Sequence, residues 1–323
     1  MKFTLYDIWN ISLDKDIEKP LAPRDHIYAS ELGGAYCDRY LKMTGMPYSN
    51  PANARSRRKF LAGSIWENIV KYVLSRAGIL YEAQGQCNID FNGLLSVHGR
   101  LDLLAGGKPD MDKAKRLVET EFNWLPEQFA RATVDIVAAL NEKYPDGLDD
   151  TILEVKSCSS FMFEVYEAKQ AASNHHKLQT YHYLKALNLP EGHICYICRD
   201  DARLIEIGVM QPSVVEDEYM TDIKTMTGYY LAKEVPPKEK PIIVEYDKFK
   251  PNWKVMYSSY LTYLYGFENQ FAFEIQYRPL CERWNRVLSR QEENKKMTQN
   301  NLDAIDEMYQ MGFWAKDGKA LLS

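Results

Sequence analysis

The stretch 151–156 alternates apolar or β-branched residues with polar ones, which predicts a short β-strand. Side chains two positions apart lie on the same face of a strand, so Glu154 and Lys156 share a face with Ile152. The strand therefore holds a carboxylate and an ammonium group close together. An ion pair on a half-exposed strand is the simpler explanation, because charged groups usually lie in solvent. The pattern alone leaves that explanation open.

Helical periodicity predicts a short helix over 30–43 and a longer one over 61–77. Ser30 is a suitable N-cap for the first helix, and Gly78 ends the second. Glu67 lies on a stripe of the second helix that is otherwise small or apolar, where a carboxylate costs stability unless it is paired or bound to a cation. A glutamate at the edge of the stripe would need neither, so both interpretations stay open.

The dipeptide Asn92-Gly93 between two apolar runs predicts a β-hairpin over 87–97 with a two-residue turn. In the pattern, the second strand of this hairpin continues to Leu104. Asp102 lies late in that strand, where aspartate is disfavoured, and this placement indicates a function.

Residues 1–28 have mixed polarity and predict an irregular lead-in, and residues 106–150 predict a helical insertion that interrupts the sheet. The elements predicted after the strand at 151–156 are a long helix, a hairpin, an amphipathic helix, a short strand, an aromatic-rich helical segment and two charged helices, over 162–187, 193–209, 214–234, 242–246, 252–267 and 278–312.

Composition describes an ordinary globular protein, with 46% hydrophobic and 26% charged residues in 323. The sequence contains no apolar run of about 18 residues, which a transmembrane helix requires. The N-terminus carries acidic residues where a signal peptide has its apolar core. We therefore expect a cytoplasmic protein with no membrane partner.

The six cysteines are scattered, and one pair, Cys195 and Cys198, forms a CxxC inside an apolar, strand-like run. A structural zinc site needs a second pair of ligands at similar spacing, and none follows. We expect reduced, mostly buried thiols.

Two segments could contact nucleic acid, although the net charge of −5 argues weakly against a phosphate-binding surface. The basic run 55–59 lies in a loop predicted over 46–60, where a solvated loop and a phosphate contact are equally reasonable. Four residues are spaced like a helix stripe, for which core packing is favoured over base stacking: Trp253, Tyr257, Tyr260 and Leu264.

Three acids, Glu67, Asp102 and Glu154, come from three elements that could pack side by side. Oxygen ligands of this kind suit a hard cation such as Mg²⁺, which takes one or two carboxylates plus waters and substrate phosphates. Such an ion lowers the pKa of a bound water, and Lys156 could donate to that water or to a scissile phosphate.

Five short motifs, in this order along the chain, resemble those of the PD-(D/E)XK nuclease superfamily, in its RecB-like branch. That branch includes CRISPR-associated adaptation nucleases and many phage exonucleases. The motifs are Ser30-x-Leu32 followed by Cys37 and Arg39, Gly63 with Glu67, Gly99-Arg100-Leu101-Asp102, Glu154-Val155-Lys156, and Gln179 with Tyr183.

This resemblance implies a restriction-endonuclease-like α/β core, with a central mixed sheet flanked by helices, over 29–235. A mostly helical extension follows over 236–323. The resemblance further implies three groups of site residues: metal ligands Glu67, Asp102, Glu154 and the carbonyl of Val155; catalytic residues Lys156, Glu154 and Asp102; and residues that support the site or bind substrate, Gln179, Tyr183, Arg100 and Arg39.

The sequence departs from the family pattern in three respects. Glu67 stands where many relatives have histidine, and the spacing from Asp102 to Glu154 is long, consistent with the insertion. Several relatives also hold an iron–sulfur cluster with one N-terminal and three C-terminal cysteines. Here Val255 and Ser258 occupy two of the expected cysteine positions, so we expect no cluster, because a cluster needs four thiolates.

The sequence therefore predicts a Mg²⁺- or Mn²⁺-dependent deoxyribonuclease that hydrolyses phosphodiester bonds at DNA ends or on single strands, in a phage or in DNA repair or recombination. The alternative is a catalytically inactive relative that binds nucleic acid or a protein partner.

Overall fold

The computed structural model describes residues 21–124, 133–211, 215–245, 247–292 and 296–313. These residues form two compact units. The first, called the sheet unit, comprises the described residues up to Gly33 and those of Asn53–Glu234. The second, called the C-terminal unit, comprises Gly34–Ala52 and the described residues from Val235 onward.

The sheet unit contains a five-stranded mixed sheet and a three-stranded sheet. Its strands are β1 (His26–Tyr28), β2 (Leu80–Ala83), β3 (Gln86–Ile89), β4 (Ser96–Arg100), β5 (Leu103–Gly107), β6 (Leu148–Cys158), β7 (Glu191–Cys198) and β8 (Leu204–Met210). The larger sheet has the order β2-β5-β6-β7-β8, in which β6 and β7 run parallel and the other neighbours antiparallel. In the smaller sheet β4 pairs in parallel with β1 and antiparallel with β3.

Helices lie on both faces of the larger sheet. The sheet unit contains α2 (Ala54–Arg76), α3 (Met111–Glu121), α4 (Thr133–Lys143), α5 (Ser160–Lys169), α6 (Asn174–Leu187) and α7 (Val215–Ala232). The C-terminal unit contains α1 (Tyr36–Met43), α8 (Trp253–Met256), α9 (Leu261–Tyr265), α10 (Gln270–Glu292) and α11 (Gln299–Gln310). Trp66 and Val70 of α2 pack with Val155 of β6 in one core cluster. On the other face, a Cβ atom at Gly192 would lie 3.1 Å from Leu184 of α6. This arrangement confirms the predicted α/β fold class.

Several elements lie where the sequence predicts them. β6 covers the predicted strand at 151–156, and β7 and β8 form the second hairpin. The insertion contributes α3 and α4 between the adjacent antiparallel strands β5 and β6, with 125–132 outside the described residues. Helix α2 ends at Arg76, where Gly78 adopts a φ of +69° that favours glycine. The six cysteines are free and five are buried, as predicted.

The helix predicted over 30–43 is wrong at its start, since Ala29–Glu31 form a 3₁₀ turn and the α-helix begins at Tyr36. The loop predicted over 46–60 is also wrong, because α2 begins at Ala54. The side chain of Asn53 caps this helix by accepting the N–H of Ser56 at 2.9 Å. The basic run 55–59 therefore lies on the first turns of a helix.

The first hairpin and the strand after it also differ from the prediction. Ile89 pairs with Val97, so the connection is a loop over 90–95 rather than a two-residue turn. The strand predicted to reach Leu104 ends at Arg100, and the chain then enters the other sheet as β5. The alternating pattern continues across the break, which is why the sequence did not reveal it.

The helix predicted over 162–187 is two helices, α5 and α6. Gln170 at the end of α5 adopts the left-handed conformation (φ +48°), which stops the helix. Part of the predicted irregular lead-in is strand β1, and residues 1–20 lie outside the described residues. The first of the two charged C-terminal helices begins at Gln270 rather than 278.

The C-terminal unit contains a two-stranded antiparallel sheet of β9 (Ile242–Glu245) and β10 (Lys248–Pro251). The predicted core packing is confirmed for Tyr260 and Leu264, which are buried. It is wrong for Trp253 and Tyr257, which are exposed. The predicted continuous stripe fails because the segment breaks into two short helices, α8 and α9.

Ser258 and Val255, the two positions at which the family resemblance would place cysteine, have other roles in this unit. Ser258 Oγ donates to Asp38 Oδ1 at 2.7 Å, and the Ser259 N–H donates to Asp38 Oδ2 at 3.1 Å. Val255 packs in a buried cluster with Phe273. Hydrogen bonds and apolar packing thus join α1 to the segment around α8. Across both units, none of the described helices has the length and apolar character needed to cross a membrane.

Candidate active site

Asp102 lies at the junction between the two sheets of the sheet unit. β4 ends at Arg100 in the smaller sheet, and the chain continues as β5 of the larger one. Asp102 Oδ2 accepts the N–H of Val155 at 2.8 Å. Because Val155 stands between Glu154 and Lys156 on β6, this bond holds the aspartate beside the strand that carries the other predicted residues.

Glu154 and Lys156 form an ion pair on β6, with Lys156 Nζ donating to Glu154 Oε1. The Glu154 side chain is fully buried, whereas 25% of the Lys156 side chain is exposed. The second carboxylate oxygen, Glu154 Oε2, is buried and has no hydrogen-bond partner among the described residues. A buried polar atom left unpaired costs on the order of 1–3 kcal/mol, so the protein alone leaves this group incompletely stabilised.

Glu67 projects from α2 and is partly buried. Gln84 Nε2 donates to Glu67 Oε1 from the short connection between β2 and β3. Gln84 adopts a positive φ of 58°, an uncommon conformation for a residue with a side chain. The amide therefore fixes the orientation of the carboxylate from a constrained backbone position.

Burial raises the pKa of each of the three carboxyl groups, those of Glu67, Asp102 and Glu154. Lys156 acts to lower these pKa values but does not outweigh burial. Burial likewise acts to lower the pKa of Lys156, but the charges of Glu154 and Asp102 outweigh it and raise that pKa. The three acids and the lysine therefore lie close together in a poorly solvated region, where their charges act on one another.

Gln179 and Tyr183 are buried one turn apart on α6, as their spacing predicts. Gln179 Nε2 donates to the Tyr183 hydroxyl at 3.0 Å, and that hydroxyl donates to the backbone carbonyl of Arg100 at 3.1 Å. These two side chains thus support the end of β4, two residues before Asp102. Gly99 leaves the space for this contact, because a Cβ atom there would lie 2.5 Å from the Tyr183 ring.

The sequence also predicts a role for Arg39 in supporting the site or binding substrate. Arg39 lies on α1 in the C-terminal unit, is buried, and places its guanidinium 4.7 Å from the ring centroid of Tyr36. Its role in substrate binding stays a prediction.

A cavity of about 680 Å³ opens beside the carboxylates, with all of its lining in the sheet unit. Glu67, Asp102, Arg100 and Tyr183 line it together. Glu154 and Lys156 are linked to this group through the Val155–Asp102 hydrogen bond. The structure thus brings residues from α2, β4, β6 and α6 into one region, although more than a hundred residues separate the first of them from the last along the chain.

The sequence did not identify several residues that line the same cavity. They are His26, Tyr28, Gln84, Gln86 and Asn88. His98 also lines the cavity, and its ring stacks on His26 with centroids 4.1 Å apart. The parallel pairing of β1 with β4 creates this wall, and no local pattern predicts such a pairing.

The donor set fits a hard divalent cation in its chemistry. Within the described ranges, no group of three or more histidine, cysteine, aspartate or glutamate side chains is arranged so that it could hold a metal ion. Mg²⁺ does not require such a group, since it retains waters and uses one or two carboxylates. The unpaired buried Oε2 of Glu154 and the raised pKa values of three neighbouring acids are the features that a cation would relieve.

Comparison with known proteins gives no assignment. No family model matches the sequence, and no curated protein matches it. Among solved structures, the chain is similar to SSO0001, at 15% identity and a TM-score of 0.42, over 73% of this chain and 89% of that one. It is also similar to an alkaline exonuclease (LHK-Exo) from Laribacter hongkongensis, at 10% identity and a TM-score of 0.34, over 70% of this chain and 93% of that one.

Proposed function

We propose that the protein is a nuclease that hydrolyses phosphodiester bonds of DNA with the help of Mg²⁺ or Mn²⁺. The chemistry belongs to the predicted core over 29–235, whose described residues fall in the sheet unit apart from 34–52 and Val235. Action at DNA ends or on single strands, and membership of the RecB-like branch, are parts of the same proposal that rest on the motif resemblance.

The observation that carries the proposal is the unpaired Oε2 of Glu154. This carboxylate is fully buried, its second oxygen has no partner among the described residues, and its neighbours Asp102 and Glu67 are also acids. A structural ion pair would be expected to satisfy its buried atoms, whereas a ligand for a cation leaves one oxygen available.

Glu67, Asp102, Glu154 and the carbonyl of Val155 would hold the ion. When bound, a divalent cation lowers the pKa of a coordinated water and offsets charge on the phosphate in the transition state. Gln84 orients Glu67, and the Val155 N–H fixes Asp102, so two of the acids are already positioned.

Lys156 supplies a positive charge that stays protonated, because the surrounding carboxylates raise its pKa. Its side chain is partly exposed, and its ammonium group can donate to a phosphate oxygen or to the attacking water. Arg100 is exposed at the mouth of the same cavity and offers a second cation for a phosphate. Tyr183 holds the backbone of Arg100 and acts as a positioning residue.

One observation favours the competing function, a nucleic-acid-binding protein without cleavage. Within the described part of the chain no three-ligand cluster is assembled, and Asp102 and Glu154 already engage the Val155 N–H and Lys156. A protein of that kind would bind DNA equally well with and without metal and would cleave none.

The deciding experiment is a cleavage assay on end-labelled single- and double-stranded DNA with Mg²⁺, with Mn²⁺ and with a chelator. We expect cleavage that requires metal, and a product ladder that gives the end preference. Absence of cleavage of any DNA, together with no metal-induced rise in melting temperature, would overturn the proposal.

A further inference from the structure

Tyr28 presents an exposed aromatic ring to the cavity that contains the carboxylates. It lies at the end of β1, lines the cavity, and is 46% exposed. An exposed aromatic side chain in a cavity wall is available for a flat ligand, since it has apolar surface that the protein leaves uncovered.

The ring of Tyr28 is held in place from two directions. The guanidinium of Arg24 lies 4.1 Å from its centroid, and Arg24 is itself fixed by two hydrogen bonds of 2.7 and 2.6 Å to Glu31. The ring of His26 meets Tyr28 edge-on, with centroids 4.9 Å apart. A ring held in this way loses little freedom when a ligand stacks on it.

The histidines extend the same wall toward the catalytic residues. His26 stacks on His98 at an interplanar angle of 14°. In the register of β1 and β4, Tyr28 stands beside His98, and Arg100 follows two residues later on the same strand. The wall thus passes from aromatic rings to a cation and then to Asp102.

The remaining lining is polar. Gln86, Asn88 and Ser30 contribute amide and hydroxyl groups to the cavity, and the volume of about 680 Å³ exceeds that of a single nucleotide. Amides beside an aromatic ring can hydrogen-bond the edge of a base while the ring contacts its face.

We propose that this wall, formed by Tyr28, His26 and His98, is a subsite for an unpaired nucleobase of the nucleic acid, with the base stacked on Tyr28 and the adjoining phosphate near Arg100. This inference rests on the proposed nuclease function and specifies its substrate as a strand with at least one unstacked base. A base within a duplex is stacked on its neighbours and could not reach the ring without being extruded.

The test measures binding of a short fluorescein-labelled single-stranded oligodeoxynucleotide by anisotropy, in a chelator so that metal-dependent cleavage cannot occur. A series of otherwise identical oligonucleotides each carries one abasic position. The proteins are the wild type, Tyr28→Ala, Tyr28→Leu, Tyr28→Phe and Tyr81→Ala. Tyr81 is the matched control, because it is 48% exposed with Lys113 Nζ 4.3 Å from its ring centroid but does not line this cavity.

We expect one abasic position to weaken binding by the wild type about tenfold, the usual effect of losing one base–aromatic stack. Tyr28→Ala and Tyr28→Leu should weaken binding of the intact strand by a similar factor and should no longer respond to that abasic position. Tyr28→Phe and Tyr81→Ala should behave like the wild type. The leucine variant and the abasic series keep the test decisive if the alanine variant does not fold.

Two results would overturn the inference. One is that the wild type binds all abasic strands equally well. The other is that Tyr28→Ala and the abasic position reduce affinity independently, so that their combined effect is the product of the two separate factors. These results are distinct from failure of the nuclease proposal. Base-dependent binding without metal-dependent cleavage would contradict the nuclease proposal and support the subsite. Metal-dependent cleavage with base-independent binding would contradict the subsite and support the nuclease proposal.

Discussion

Asp102 Oδ2 accepts a hydrogen bond from the N–H of Val155 at 2.8 Å, across 53 residues of sequence. The bond connects the segment between β4 and β5, where the chain passes from one sheet to the other, to the centre of β6, which carries Glu154 and Lys156. It uses one carboxylate oxygen for structure and places the acid where it interacts electrostatically with both Glu67 and Lys156. The predictions below follow from this arrangement.

Replacing Lys156 by alanine should reduce cleavage by at least about a hundredfold, the typical effect of removing one charge-stabilising donor. The matched control is Lys185→Ala, since Lys185 also pairs with a glutamate, Glu216, at 2.8 Å and is similarly exposed. Breaking that surface pair should cost at most about 1 kcal/mol and leave cleavage intact. Rates on end-labelled DNA and thermal melts would be compared. Unfolding of the Lys156 variant alone would mean that the lysine is a structural partner.

Replacing Glu154 by glutamine should abolish the rise in melting temperature that Mg²⁺ or Mn²⁺ produces in the wild type. The amide oxygen can still accept from Lys156, but the variant loses the charge of a buried ion pair, so stability in chelator should fall by about 3 kcal/mol. A ligand present at a hundred times its Kd adds about 2.7 kcal/mol, which a melt detects easily. Glu206→Gln, on the edge strand β8, is the control and should keep the metal response. A metal response that survives in the Glu154 variant would exclude this carboxylate as a ligand.

Replacing Tyr183 by phenylalanine should lower cleavage more than stability. The hydroxyl lost is the one that accepts from Gln179 and donates to the Arg100 carbonyl, and its net contribution to folding is about 1 kcal/mol. Tyr260→Phe is the matched control, because the buried Tyr260 also donates to a backbone carbonyl, that of Met46, at 2.7 Å. We expect similar melting temperatures and a reduced kcat for the Tyr183 variant. Equal activity of the two variants would contradict a positioning role.

His182 should contribute a loss of stability as the pH falls from 6.5 to about 4, whereas the raised pKa values of Glu67, Asp102 and Glu154 act in the opposite direction. Burial lowers the pKa of His182 to about 4 from its ordinary 6.5, and its ring nitrogens contact the Tyr219 hydroxyl at 2.9 Å and the Cys87 carbonyl at 2.8 Å. Between these two pH values the unfolded chain binds a proton that the folded chain excludes. The contribution of His182 to the free energy of unfolding therefore decreases with falling pH, by up to about 3 kcal/mol.

His182→Gln is the test of that contribution, since its amide can still donate to the Cys87 carbonyl but does not titrate. Urea unfolding at several pH values should show a smaller acid-side loss in the variant than in the wild type. Identical pH dependence in the two proteins would assign the loss to other groups.

The sequence by itself determined the elements whose signal is local. The alternating pattern over 151–156 predicted strand β6, because side-chain direction along a strand depends on near neighbours. The helical periodicity around Glu67, followed by Gly78, predicted where α2 ends, because helix termination is also a local property. The same local signals failed at 30–43, at 90–95 and after Arg100. At these places the structure has a 3₁₀ turn before the helix, a longer hairpin loop, and the passage of the chain into the other sheet.

Only the tertiary structure decided which chemical groups meet. Asp102 and Val155 meet through a hydrogen bond although 53 residues separate them along the chain. His26 and Tyr28 carry no local signal of function, and they reach the cavity because β1 pairs with β4 some seventy residues later. Strand pairing over such distances depends on the burial of whole faces and on chain closure, which the pattern of neighbouring residues does not encode.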